Sequence, residues 1–133
     1  MLLMKLETKE KFAFLQLAQH LARVDGEYGN KEQDVIDEYC VEMGIDKPTI
    51  FNEEDFILEE ILSSFKSTKS KRIVILELMI LVHIDDKYDN KEHELTKKIV
   101  DHFKINDKDL KYFSYWGKAV SSLYEQGKLF IED

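Results

Sequence analysis

The stretch Asp25-Gly26-Glu27-Tyr28-Gly29-Asn30-Lys31-Glu32 returns sixty positions later (85 − 25) as Asp85-Asp86-Lys87-Tyr88-Asp89-Asn90-Lys91-Glu92. Five of the eight positions are identical: Asp25/Asp85, Tyr28/Tyr88, Asn30/Asn90, Lys31/Lys91 and Glu32/Glu92. Outside the stretch the agreement persists at the apolar level, where Leu21, Val24, Val35, Met43 and Ile45 are answered by Leu81, Ile84, Leu95, Phe103 and Ile105. The chain therefore reads as an internal duplication of about residues 12–46 and 72–106 inside a single domain spanning 1–133. Each copy places an amphipathic segment on either side of a short polar turn. The predicted architecture is all-α: a bundle of about six helices in which two related helical hairpins pack about a pseudo-twofold axis.

Helix boundaries follow from the capping residues. A first helix is expected from Thr8 as N-cap to about Val24. A second is expected from Asn30, with Gln33 at the capping-box position, to Met43, where Gly44 supplies a left-handed terminus. Lys47-Pro48-Thr49 leads out of the first hairpin, and Asn52 reads as the start of a third, long helix through Phe56, Ile57, Ile61 and Phe65. Ser67 or Thr68 caps a central helix through Ile73, Leu76, Ile80 and Ile84, the most apolar part of the chain, broken only by Glu77. Asn90 opens the next helix, to about Phe103. Asn106, with Asp109 at the capping-box position, opens the last, which Gly127 is expected to end, leaving Lys128 to Asp133 as a tail.

Bulk composition narrows the function classes. A net charge of −8 argues against nucleic acid, whose phosphates call for clustered Lys and Arg, and suits a cation or a basic partner. The single cysteine, Cys40, cannot form an internal disulfide, which points to a reducing cytoplasm. No apolar run approaches the roughly 20 residues of a membrane-spanning helix, and the start of the chain has neither the basic leader nor the cleavage site of a signal peptide.

The chemistry-bearing residues are the paired acids, an Asp ending one helix and a Glu in the first turn of the next. The Glu is favourably placed near a helix N-terminus, whereas the Asp sits where carbonyl oxygens already concentrate negative charge. Something must offset Asp25 and Asp85. Either backbone N–H groups of the turn donate to them, making the acids structural braces, or a cation lies between Asp and Glu. For a cation, the oxygen donors favour calcium, magnesium or manganese over zinc. The turn does not match an EF-hand, because Asn30 or Asn90 stands at that loop's glycine position and Ile36 or Thr96 at its closing glutamate.

The pattern Asp-Gly-x-x-x-x-x-Glu between two amphipathic helices, repeated near the end of the next long helix, resembles the TerB-like family of tellurite-resistance proteins, related to the helical domain that begins some membrane-bound DnaJ-like co-chaperones. The similarity spans roughly residues 12–105. It implies a two-part all-α fold, a role in tellurite or other chemical stress, and divalent-cation binding at the metal-site candidates Asp25, Glu32, Asp85 and Glu92. The sequence departs from the pattern at Asp86, which replaces the motif glycine, and at Tyr28 and Tyr88, which replace an aliphatic residue.

No glycine-rich phosphate loop, nucleophile elbow or Cys–His motif is present, and His20, His83, His93 and His102 lack the spacing of a helical zinc pair. The last helix carries more rings than one buried stripe needs. Tyr112 and Tyr115 fall off that stripe and, with Trp116, form the candidate partner-binding surface. The leading expectation is a non-enzymatic stress-response module that binds a protein partner, with a membrane-associated complex or a homodimer through the last helix as alternative assemblies. The alternative from another class is a metal-dependent enzyme or metal-handling protein using the same acids.

Overall fold

The computed structural model describes residues 1–24, 29–46, 51–84 and 90–132. Among them are six α-helices and two single 3-10 turns, with no strand: α1 (Thr8–Arg23), α2 (Asn30–Met43), α3 (Leu58–Leu62), α4 (Thr68–His83), α5 (Asn90–Phe103) and α6 (Asp107–Ile131). The all-α expectation holds. One continuous apolar cluster fills the interior, with Phe14 and Leu17 of α1, Val74 and Ile75 of α4 and Ile99 of α5 at most 1 % exposed.

Helix α4 is apolar nearly all round because it is enclosed by the others, the sequence signature of a buried helix. It begins at Ser67, whose Oγ accepts from the Ser70 N–H at 3.0 Å while Ser70 Oγ accepts from the Ser67 N–H at 3.3 Å. Helix α6 lies along α4 at a distance set by Gly117. A Cβ built on Gly117 would come within 2.3 Å of Met79 Cβ and 2.7 Å of the Met79 carbonyl carbon, so the two backbones meet where only hydrogen fits.

The boundaries of α1–α2 and α4–α5 recur at the offset of the sequence repeat. Helices α2 and α5 both close on a left-handed residue, Gly44 at φ 69° and Lys104 at φ 58°. The next N–H in each case reaches back to an orphan carbonyl, Ile45 to Cys40 at 2.9 Å and Ile105 to Val100 at 3.1 Å. Glycine takes this conformation without strain. Lysine does not, so Lys104→Gly is expected to stabilise the chain by about 0.5–1 kcal/mol in urea unfolding. An unchanged midpoint would show that the left-handed backbone at 104 carries no strain.

Four expected boundaries need correction. The N-cap of α1 is Glu7, which forms a reciprocal capping box with Glu10, leaving Thr8 as the first helical residue. The N-cap of α2 is Gly29, which moves the third helical position from Gln33 to Glu32. Asn52 caps a single 3-10 turn, Glu53–Asp55, and the following helix is only the short α3. Side-chain contacts override helix propensity there: Phe56 stacks on His20 with ring centres 4.1 Å apart, and His20 Nδ1 meets Glu53 at 2.8 Å, pinning an extended segment across α1. Finally, α6 does not stop at Gly127 but runs to Ile131. Lys128 secures the turn beyond the glycine by lying 4.6 Å from the centre of the Tyr124 ring and 3.8 Å from Asp34 of α2. The Lys47-Pro48-Thr49 connection lies outside the described residues.

No helix among the described residues is long and apolar enough to cross a membrane.

Candidate functional site

The most unusual side chain inside the bundle is Glu77. It sits in the middle of α4 with no exposed surface, amid the apolar residues that make this helix central. A buried carboxylate is tolerated only where donors meet it. Glu77 Oε1 accepts from the Leu2 N–H at 2.7 Å and lies 3.3 Å from the Met1 ammonium, which also pairs with Glu42 of α2. Its Oε2 is buried and has no hydrogen-bond partner among the described residues. The carbonyl of Glu77 is also engaged: the Tyr39 hydroxyl of α2 donates to it at 2.7 Å.

These groups border a cavity of about 270 Å³ among α2, α4 and α6. Val35, Ile80 and Val120 give it apolar walls, and Glu38, Glu42 and Glu77 give it acid. Tyr124 of α6 completes the wall, its hydroxyl buried and without a hydrogen-bond partner of good geometry among the described residues. Burial pushes the Glu77 carboxyl above the ordinary carboxylate range. The Leu2 N–H and the terminal ammonium pull it back, and Glu42 adds to the rise. Burial likewise raises the Tyr39 phenol, helped by Glu77 and Glu42, and the Tyr124 phenol, helped by Glu38 beside it.

The sign of the pH effect follows from the Glu77 shift. A carboxyl with a higher pKa in the folded chain than in the unfolded one contributes stability that is full below the ordinary value. That contribution is lost as pH rises through the folded value. Between about pH 4 and pH 7, wild type should therefore lose stability relative to Glu77→Gln, which keeps an acceptor for the Leu2 N–H but cannot ionise. Urea midpoints measured across that range test this, and parallel profiles for the two proteins would show that Glu77 does not titrate abnormally.

The paired motif acids are placed only in part. Asp25 and Asp85 lie outside the described residues. Glu32 and Glu92 stand in the first turns of α2 and α5, both buried. Glu32 occupies the third helical position and curls back over the N-cap, so that a Cβ built on Gly29 would lie 2.9 Å from Glu32 Oε2. The carboxylate thus lies against the N-cap residue, at the position from which a capping-box acid acts. Among the described residues no group of three or more His, Cys, Asp or Glu side chains is gathered to hold a metal ion. Hard oxygen donors suit a divalent cation, but the described pair belongs to separate halves, and each Glu would need its Asp partner to form a coordination shell.

The aromatic residues of α6 divide by face. Gly117 and Ser121 are buried against α4, and Phe113 and Tyr124 pack on the core. Tyr112 is 60 % exposed and Tyr115 58 %, while Trp116 is half-buried. Leu123 is 65 % exposed, and Phe130 reaches 86 %. Tyr112, Tyr115, Leu123 and Phe130 fall at helical spacing, which makes α6 apolar on two faces with only one covered. Beside Tyr115 runs an open groove of about 600 Å³ that includes Met79, Leu110, His83 and His93. His83 Nε2 lies 2.9 Å from Ser114 Oγ, which orients the imidazole along that wall.

The sequence pattern did not bring His83 and His93 together, because they sit on different helices. Glu77 was visible only as the one charge inside an apolar run, and that break in the pattern was the available signal. The chain matches no protein-family profile, no curated protein and no solved structure.

Proposed function

We propose that this chain is a non-enzymatic helical binding module of TerB-like type that serves a stress response by docking a protein partner along the outer face of α6. The single observation that supports this reading is the exposed stripe of Tyr112, Tyr115, Leu123 and Phe130 on a helix whose opposite face is already buried on α4. An uncovered apolar stripe on a charged protein is a recognition feature, and tyrosine supplies large contact area at low conformational cost. The groove beside Tyr115 gives the partner a second wall. The net charge of −8 favours a partner with basic residues around its apolar contact. A cytoplasmic home and a membrane-associated complex belong to this reading as its settings, and a homodimer through the same face is its alternative.

A photo-crosslinking residue placed at Tyr115 should trap another protein in cells, while the same residue at Val41, exposed on α2, should not. Adducts that consist only of the chain itself would replace the partner with a homodimer. Equal trapping at both positions, or none at 115, would contradict the reading.

The TerB-like resemblance adds a divalent cation held by Asp25 with Glu32 and by Asp85 with Glu92, where it would neutralise acids crowded at helix ends. Ligand that binds only the native state raises its stability by mass action. With calcium, magnesium or manganese, the melting temperature of chelator-stripped protein should rise in wild type and not in the double variant Glu32→Gln/Glu92→Gln. If no ion raises it, and that variant is destabilised in chelator, the acids are braces for the turns.

A further inference from the structure

We propose that the cavity among α2, α4 and α6 is a binding site for a small organic ammonium, a protonated primary amine on an aliphatic body. Three features of the cavity define that ligand. The first is the buried Oε2 of Glu77, which has no hydrogen-bond partner among the described residues although Glu77 is wholly enclosed, and which calls for a donor. The second is the charge around it. Glu38, Glu42 and Glu77 all border the cavity, and the cation beside them among the described residues, the Met1 ammonium, is engaged by Glu42 and by Glu77 Oε1. That contact shows an ammonium accepted between two of these carboxylates. The third is the remaining wall of Val35, Ile80, Val120 and the Tyr124 ring, which offers a methylene chain apolar surface and an aromatic face.

A hydrated divalent ion does not suit this combination. It needs about six oxygen ligands, and most of this wall is hydrocarbon. A neutral apolar molecule would leave the acid unanswered. A volume of about 270 Å³ holds a ligand at the small end of the range for ligand cavities. The bound amine would place its ammonium between Glu38 and Glu77 and its alkyl chain against Ile80 and Val120. This site is separate from the α6 outer stripe, so neither reading depends on the other.

The test is a titration of the isotope-labelled full chain, followed by amide chemical shifts, with n-pentylamine, pentanol and magnesium chloride in parallel. Pentylamine should give saturable shifts at Val35, Ile80 and Val120. Pentanol and magnesium should not. Glu38→Gln, a change at an exposed position that leaves the core intact, should weaken pentylamine binding by at least about tenfold, the effect of losing one charge-assisted contact. Val120→Phe, which fills the cavity from α6, should abolish it. Shifts that fail to saturate, equal shifts with magnesium, or unchanged binding in either folded variant would each overturn the assignment.

Discussion

Gly117→Ala is expected to lower the unfolding free energy by about 1–3 kcal/mol, although alanine is the better helix former. The added methyl would meet Met79 Cβ at 2.3 Å and the Met79 backbone carbon and oxygen at 2.7 and 2.9 Å. Backbone atoms cannot rotate aside as the end of a side chain can, so α6 must lift from α4 along its longest contact. Gly127 supplies the control in the same helix. Nothing lies within 4 Å of a Cβ built there, so Gly127→Ala should gain about 0.5–1 kcal/mol from helix propensity alone. Urea unfolding of the two variants should move in opposite directions. Two shifts of the same sign would mean that α6 does not approach α4 at Gly117.

Phe14→Ala should cost about 3–5 kcal/mol. Phe14 has no exposed surface, and its ring stands edge-on to Tyr39 with centres 5.1 Å apart, joining α1 to α2 at the middle of the core. Deleting it removes apolar area and leaves a cavity that rigid helices on both sides cannot close. Tyr39 also loses the wall that aims its hydroxyl at the Glu77 carbonyl. Phe130→Ala removes the same ring from an 86 % exposed position and should change stability by less than about 0.5 kcal/mol. Comparable losses in both variants would contradict the division of rings between core and surface.

The fold class was legible because its evidence is local. The repeated motif and the apolar spacing around it act within a few residues, as do Gly44 at a helix end and the Ser67 and Asn106 caps, and among the described residues these three boundaries stand as expected. Two of the misread boundaries, at Asn52 and Gly127, share one cause, contacts between residues distant in sequence, whereas the N-caps at Glu7 and Gly29 are local shifts of one residue. Nothing near Asn52 announces that Phe56 will stack on His20, and nothing near Gly127 announces that Lys128 will reach Asp34 on another helix. The candidate sites divide in the same way. Tyr112 and Tyr115 could be assigned to the outside from helical phase alone. Leu123, eleven residues after Tyr112, shares that phase, and only its aliphatic character argued for the inside. Glu77 shows in the sequence as an anomaly in an apolar run, but its meaning depends on Leu2, Tyr39 and Glu42, which only the folded chain brings beside it.

This leaves an acidic helical bundle with two separate features. One is an enclosed carboxylate beside a small cavity, and the other is an uncovered aromatic stripe on its longest helix. Both depend on α4, which holds Glu77 on one side and seats Gly117 of α6 on another. A loss of α4–α6 contact would disturb both features, so variants meant to probe either one belong at exposed positions such as Tyr112, Tyr115 and Glu38.

The most direct measurement is the affinity of the protein trapped at position 115 for wild type, for Tyr112→Ala/Tyr115→Ala and for Val41→Ala, each shown to melt as wild type does. Docking on the outer face of α6 predicts binding weakened by at least about tenfold in the tyrosine variant, as expected for exposed aromatic anchors, and unchanged in Val41→Ala. Equal affinity for all three would contradict it.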